Sequence, residues 1–283
     1  MKSGQTQTWG PVTLDLHEHA LEGAATITLR DAGRRNVMGP ALFDGLEAAI
    51  LQLEQSTAAG RFHPFSESPP EGAVRVVLVR GEGTAFCAGF DLGLLAEDPD
   101  PSQPLLASFL KRLGGCVRRL RALPATSVAV VQGPALAGGC ALAMACDLTL
   151  ACPEARLGYP VHAIGLSPAV SGPVLAARVG AGIARTLLMS GEILDGARAH
   201  AVGLVHRLAP DPASLHEQAA QVTVDLLAKG PRALAATRRW LLELDGSISA
   251  ATCSRALDAS LATTGSVEGR ALLQSAWANR SRR

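Results

Sequence analysis

The sequence predicts an α/β fold. Three apolar runs rich in β-formers, Val74 to Val79, Val128 to Val131 and Leu148 to Ala151, are separated by helical or glycine-rich stretches, the alternation that builds a largely parallel sheet. Beyond about Ser214 the strand signals stop and helical periodicity alone remains. The expected organisation is therefore an α/β core over residues 1–210 followed by a helical module over 211–283.

The elements follow in chain order. Val12 to Leu16 and Ala24 to Leu29 flank the turn-like His19 to Gly23 and predict an N-terminal hairpin. Leu42, Leu46, Ala49, Ile50 and Leu53 fall on one face of a helix. Gln55 to Ala73 is rich in Ser, Pro, Gly and Glu and reads as a surface insertion. The three core strands come next. The C-terminal helices are expected at Ser214 to Lys229, Pro231 to Leu244, Ile248 to Leu261 and Val267 to Trp277. No fixed-period repeat argues for a solenoid.

Composition removes several classes of partner. The 26 Lys and Arg nearly balance the 25 Asp and Glu, and the basic cluster Arg280, Arg282, Arg283 is short, so neither nucleic acid nor an anionic membrane is implied. Ser127 to Cys146 carries no charge and is about as long as a membrane span, but Gln132, Gly133, Pro134, Gly138 and Gly139 at its centre would break a lipid-exposed helix. It reads instead as a buried strand, a glycine turn and a buried helix. The six cysteines show no CxxC pair and no His at metal-ligand spacing, so reduced thiols and no metal site are expected. With no secretory h-region in the N-terminal stretch, the expected compartment is the cytoplasm.

Two glycine-containing turns, each directly after a strand, carry the chemistry: GEGTAFCAGFDL over Gly81 to Leu92, and QGPALAGGCALAMACDLTLA over Gln132 to Ala151. Glycine there permits a sharp turn and a close approach of ligand to backbone. Gly138 and Gly139 lead into an apolar helix whose first N–H groups have no intrahelical partner and favour negative charge. Tight helix packing is the plain alternative for a glycine pair taken alone.

Taken with LGYP, IGLSPA and GARAHAVGLV downstream, these segments resemble the crotonase (enoyl-CoA hydratase/isomerase) superfamily from about Thr26 to Val205, with continuation into the C-terminal helices. The resemblance implies a spiral of β-β-α units closed by a helical trimerisation module, as a homotrimer or a dimer of trimers. It implies an acyl-CoA thioester substrate, no cofactor beyond that coenzyme A, and an oxyanion hole formed by the backbone N–H groups of Ala88 and Gly138. Gly89, Phe90 and Asp91, in the same turn, would border the substrate, with a helix N-cap as the plainer role for Asp91. Arg34 and Arg35 stand where the family often places a basic residue near the CoA phosphates, and guanidinium suits phosphate; a solvated surface pair is the alternative. Asp147 reads as structural.

The chain departs from that pattern at both positions where typical hydratases carry a glutamate, which here are Ala141 and Val161. Neither side chain can move a proton, which speaks against ordinary two-glutamate hydration. His162 is the nearest titratable candidate for a base, weighed against a bystander role. His63, Glu67 and Glu71 of the insertion are a further conceivable source. The leading expectation is an acyl-CoA lyase or isomerase working through a stabilised enolate, with decarboxylation, C–C cleavage and thioester hydrolysis open to it. The alternative is a non-catalytic acyl-CoA binder or structural oligomer subunit. A nicotinamide enzyme is disfavoured, because neither glycine turn has GxGxxG spacing.

Overall fold

A computed structural model describes residues 4–56, 73–98 and 100–280. Most of the Gln55 to Ala73 insertion, with His63, Glu67 and Glu71, lies outside the described residues, as do Arg282 and Arg283.

The main sheet has seven strands: β1 (Thr6–Trp9), β2 (Val12–Leu16), β3 (Ala24–Leu29), β4 (Val76–Gly81), β5 (Thr126–Val131), β7 (Leu148–Ala151) and β10 (Arg207–Leu208), in that spatial order. The first three are antiparallel, with Leu14 opposite Ile27, and from β3 onward every pairing is parallel. A three-stranded sheet of β6 (Pro134–Leu136), β8 (Arg156–Gly158) and β9 (Ile193–Asp195) stands beside it.

The parallel strands read as unbroken apolar runs because both faces of the sheet are covered. Ala129 and Val131 of β5 face the larger core beneath α1 (Pro40–Ser56) and α3 (Pro104–Ala122), whereas Val128 and Val130 face Leu215, Ala219 and Val222 of α7 (Pro212–Leu227). On α1, Leu42, Leu46, Ala49, Ile50 and Leu53 are all buried, as their spacing predicts. The expected hairpin is β2–β3, its turn a short 3-10 helix over His19–Leu21. The half-exposed edge strand β1 had not been anticipated.

The remaining helices are α2 (Leu92–Ala96), α4 (Gly138–Ala145), α5 (Gly172–Ser190, broken at Gly180), α6 (Gly196–Ala201), α8 (Pro231–Asp245), α9 (Ala250–Leu261) and α10 (Val267–Arg280). The four C-terminal helices fall where periodicity puts them, and each packs against the strand-bearing part. Besides α7 on the sheet, α8 sends Arg238 to Asp147, α9 lies against α3, and α10 lies against α2 and the 3-10 turn His162–Ile164. No helix among the described residues is long and apolar enough to cross a membrane.

Candidate active site

The two glycine turns meet. Cys87 donates its N–H to the Pro134 carbonyl at 3.0 Å and accepts from the Leu136 N–H at 3.0 Å, a parallel bridge that fastens one turn to the other. Gly139 is required at this junction, since a Cβ there would stand 2.1 Å from the Cys87 carbonyl oxygen. Gly89 adopts φ 92°, a conformation that L side chains avoid.

Two buried amides that the sequence reading passed over hold the first turn in shape. Asn36 Nδ2 donates to the carbonyls of Glu82 (3.0 Å), Ala85 (2.9 Å) and Phe86 (3.2 Å). Gln132 Nε2 donates to those of Gly81, Gly83 and Ala85 at 2.8–3.0 Å. Single amides in apolar stretches were the signal available, because a buried amide must find partners.

The backbone directions correct one sequence assignment. The Ala88 N–H is donated to the Arg35 carbonyl at 3.0 Å, so it is not available to a ligand. The next donor along is different. Met38 N–H donates to the Gly89 carbonyl (2.8 Å) and Asp91 N–H to the Met38 carbonyl (3.1 Å), making Met38 and Phe90 a parallel bridge pair. In that geometry the N–H of Phe90 points away from Met38, and among the described residues it has no partner. Gly138 is the first residue of α4 and its N–H has none either. A Cβ on Gly138 would lie 3.3 Å from the Phe90 ring, so the two donors are neighbours.

Both residues line a cavity of about 640 Å³. Its walls come from α3 (Leu110, Leu113), the β6–α4 turn (Leu136, Ala137), the stretch from Tyr159 to Ser171, and α10 (Ala276, Asn279). Phe90 is held by aromatic packing on Phe109 and Phe43, with ring centroids 5.5 and 6.2 Å away.

The remaining sequence candidates separate cleanly. Arg35 lines the cavity and is the one cationic side chain there among the described residues. Arg34 does not; its guanidinium pairs with Asp91 and, at 3.8 Å, with Asp31. Asp91 is the N-cap of α2, accepting from Leu94 N–H at 3.4 Å. His162 is solvent-exposed and outside the lining, because the 3-10 turn it opens presents Val161, Ala163 and Ile164 to the cavity instead. Ala141 is buried in α4, behind the lining. Among the described residues no Asp, Glu or His side chain borders the space.

Asp147 is structural: it accepts from Ser127 N–H (2.7 Å), Ser127 Oγ–H (3.0 Å) and Arg238 Nε–H (2.7 Å). Beneath the cavity, burial pushes the Cys140 thiol up to about 11, so it remains protonated.

Comparison with known proteins agrees with this architecture. Residues 20–243 match the family model for enoyl-CoA hydratase/isomerase. A Thermus thermophilus protein named as an enoyl-CoA hydratase is 34% identical over 222 residues, 78% of this chain and 81% of the relative. The cyclohexa-1,5-dienecarbonyl-CoA hydratase of Thauera aromatica is 32% identical over half of this chain and 52% of its own length. The crystal structure of an enoyl-CoA hydratase/isomerase from Xanthobacter autotrophicus Py2 superposes with a TM-score of 0.80 at 29% identity, covering 97% of this chain and 96% of that one. An enoyl-CoA hydratase structure from Mycobacterium avium subsp. paratuberculosis shares the fold, with a TM-score of 0.77 at 24% identity and 98% of each chain covered. The chain belongs to the enoyl-CoA hydratase/isomerase family, the crotonase superfamily.

Proposed function

We propose that this protein binds an acyl-CoA thioester with its carbonyl oxygen between the N–H groups of Phe90 and Gly138 and stabilises the enolate that forms there. The observation that carries the reading is the pair of N–H donors, without partners among the described residues, at one wall of an apolar cavity. Donors fixed in advance stabilise charge as it develops without reorganising, and losing one typically lowers the rate by about a hundredfold or more. The apolar walls suit an acyl chain, and Arg35 supplies a cation for the anionic end of coenzyme A.

Ordinary hydration is not supported, because Val161 presents only methyl groups to the cavity and Ala141 does not reach it. The same fact favours the second reading, an acyl-CoA binder without turnover. Product formation from a panel of thioesters separates the two.

Self-association as a homotrimer or a dimer of trimers is part of the proposal, supported by the exposed Trp240, Leu241 and Leu244 on α8. A cytoplasmic setting is supported by the unpaired state of all six cysteines.

The test is Raman difference spectroscopy of a bound, unreactive acyl-CoA. Two donors on the thioester oxygen should move its C=O stretch to lower frequency; an unshifted band in the bound state would exclude the assignment.

A further inference from the structure

Within the acyl-CoA reading, on which this inference rests, the cavity beside the two donors has a neighbour. A second cavity of about 280 Å³ lies against the same helix, α3, and Val170 is the one residue among those described that borders both. Leu110 and Leu113 of α3 face the first space, while Gly114, Gly115 and Val117 face the second. Pro173, Val174, Ile248 and Leu257 complete its apolar walls. The order along α3 gives a direction. Phe90 packs on Phe109, so the donor end of the first cavity lies by that turn of the helix. Val117 is eight residues farther on, about 12 Å along the axis at the usual rise. The second cavity therefore extends beyond the first, away from the thioester.

Two glycines keep this space open. Glycine inside a helix is less favourable than alanine, so a pair at the middle of α3 needs a reason. Packing supplies none: a Cβ on Gly115 would meet nothing within 4 Å, and one on Gly114 would touch only Val170 Cγ1 at 3.7 Å, an ordinary contact. What the missing side chains leave is room, beside Val170 at Gly114 and in the second cavity at Gly115. The divider itself is anchored. Val170 N–H donates to Ser260 Oγ at 3.0 Å, and the buried Ser260 hydroxyl donates to the Ser167 carbonyl at 3.0 Å, tying this short 3-10 turn (Ala169–Ser171) to α9. One valine side chain, with a glycine opposite, is what separates the two spaces.

We propose that the second cavity receives the methyl end of a long acyl chain, which passes between Val170 and Gly114, so that this protein is selective for long-chain acyl-CoA thioesters. A short chain ends in the first cavity and gains nothing from the second. Each methylene taken out of water strengthens binding by about fourfold, so the added space favours the longer ester steeply. The two charged residues at the second cavity, Lys111 and Arg118, are solvent-exposed, and long cationic side chains commonly lay their apolar stems along such a surface.

The experiment measures binding of butanoyl-, octanoyl- and dodecanoyl-CoA to the purified protein by calorimetry, with maleimide labelling of Cys253 read alongside by mass spectrometry. Cys253 borders the second cavity and not the first, so it reports where the chain ends. The expected result is an affinity that rises by about a hundredfold from octanoyl to dodecanoyl, with Cys253 shielded by the dodecanoyl ester and left open by the butanoyl ester. Gly115→Leu fills the second cavity with a better helix former, so it should melt no lower than the native chain, bind butanoyl-CoA as before and lose the dodecanoyl gain. An affinity that levels off at octanoyl, equal labelling of Cys253 with either ester, or a Gly115→Leu protein that keeps its dodecanoyl affinity overturns this inference and leaves the earlier reading standing. Absence of binding at every chain length removes both.

Discussion

The glycines of the site do separable jobs, and substitution should distinguish them. At Gly138 a Cβ meets only the flexible end of Met38 (Sδ at 3.0 Å) and the Phe90 ring (3.3 Å), so Gly138→Val should fold while filling the space beside the donors. Its acyl-CoA affinity, measured by calorimetry, should fall at least tenfold with the far-ultraviolet spectrum unchanged. At Gly139 the obstruction is the Cys87 carbonyl at 2.1 Å, so even Gly139→Ala should lower stability. The glycine pair was legible in the sequence as a turn directly after a strand, and at Gly139 only glycine suits the contact. The identity of the first donor was not: Ala88 and Phe90 differ in which way the peptide points, and that is set by the bridge between Met38 and Phe90 from distant parts of the chain. His162 escaped for the same kind of reason, since a 3-10 turn decides which of its neighbours faces inward.

Among elements, the strands that reveal themselves in sequence are those buried along most of their length, β2, β3, β4, β5 and β7. The two- and three-residue strands β8 to β10 are too short to leave a pattern, and β1, half-exposed at an edge, shows none. The join between α8 and the core is also unreadable, because it rests on long-range ion pairs, Arg238 of α8 with Asp147 and Asp245 of α8 with Arg121. Arg238 donates to Asp147 at 2.7 Å and to the carbonyls of Arg121 (2.6 Å) and Leu123. Removing one partner of a buried ion pair strands the other. Arg238→Met should therefore lower stability by about 3 kcal/mol, at the low end for such a loss because Ser127 still donates twice to Asp147. Urea denaturation measures it, and an unaltered midpoint would show that α8 docks without the Arg238 pair.

For the whole molecule, pH should act through two histidines whose surroundings favour the neutral form, His17 half-buried and His206 at the surface beside Arg178. Burial first, and the Arg178 guanidinium beside it second, bring His206 down to about 4 from an ordinary 6.5, while burial lowers His17 less. Between those values the unfolded chain binds protons that the folded chain refuses, so stability should fall as pH drops from about 6.5 towards 4 and level off below. His206 Nδ1 accepts the Thr149 N–H at 2.9 Å, a role that an asparagine oxygen can fill without titrating. Melting temperatures across that window should decline for the native chain and less steeply for His206→Asn. The C-terminal helices belong to this scale as well. Their periodicity was plain from sequence, yet nothing in it showed that Ala276 and Asn279 of α10 would wall the cavity.

The cysteines give the molecule a built-in clock. Thiol reagents attack the thiolate, and burial raises Cys87, Cys116 and Cys146 to about 12 and Cys140 and Cys152 to about 11, leaving only the half-buried Cys253 within reach of solvent. Alkylation of the native protein should label one site quickly and the other five at the pace at which the structure opens. Isotope-coded maleimides read by peptide mass spectrometry would then time the opening of the sheet, of α3 and of α4 separately, without any engineered probe.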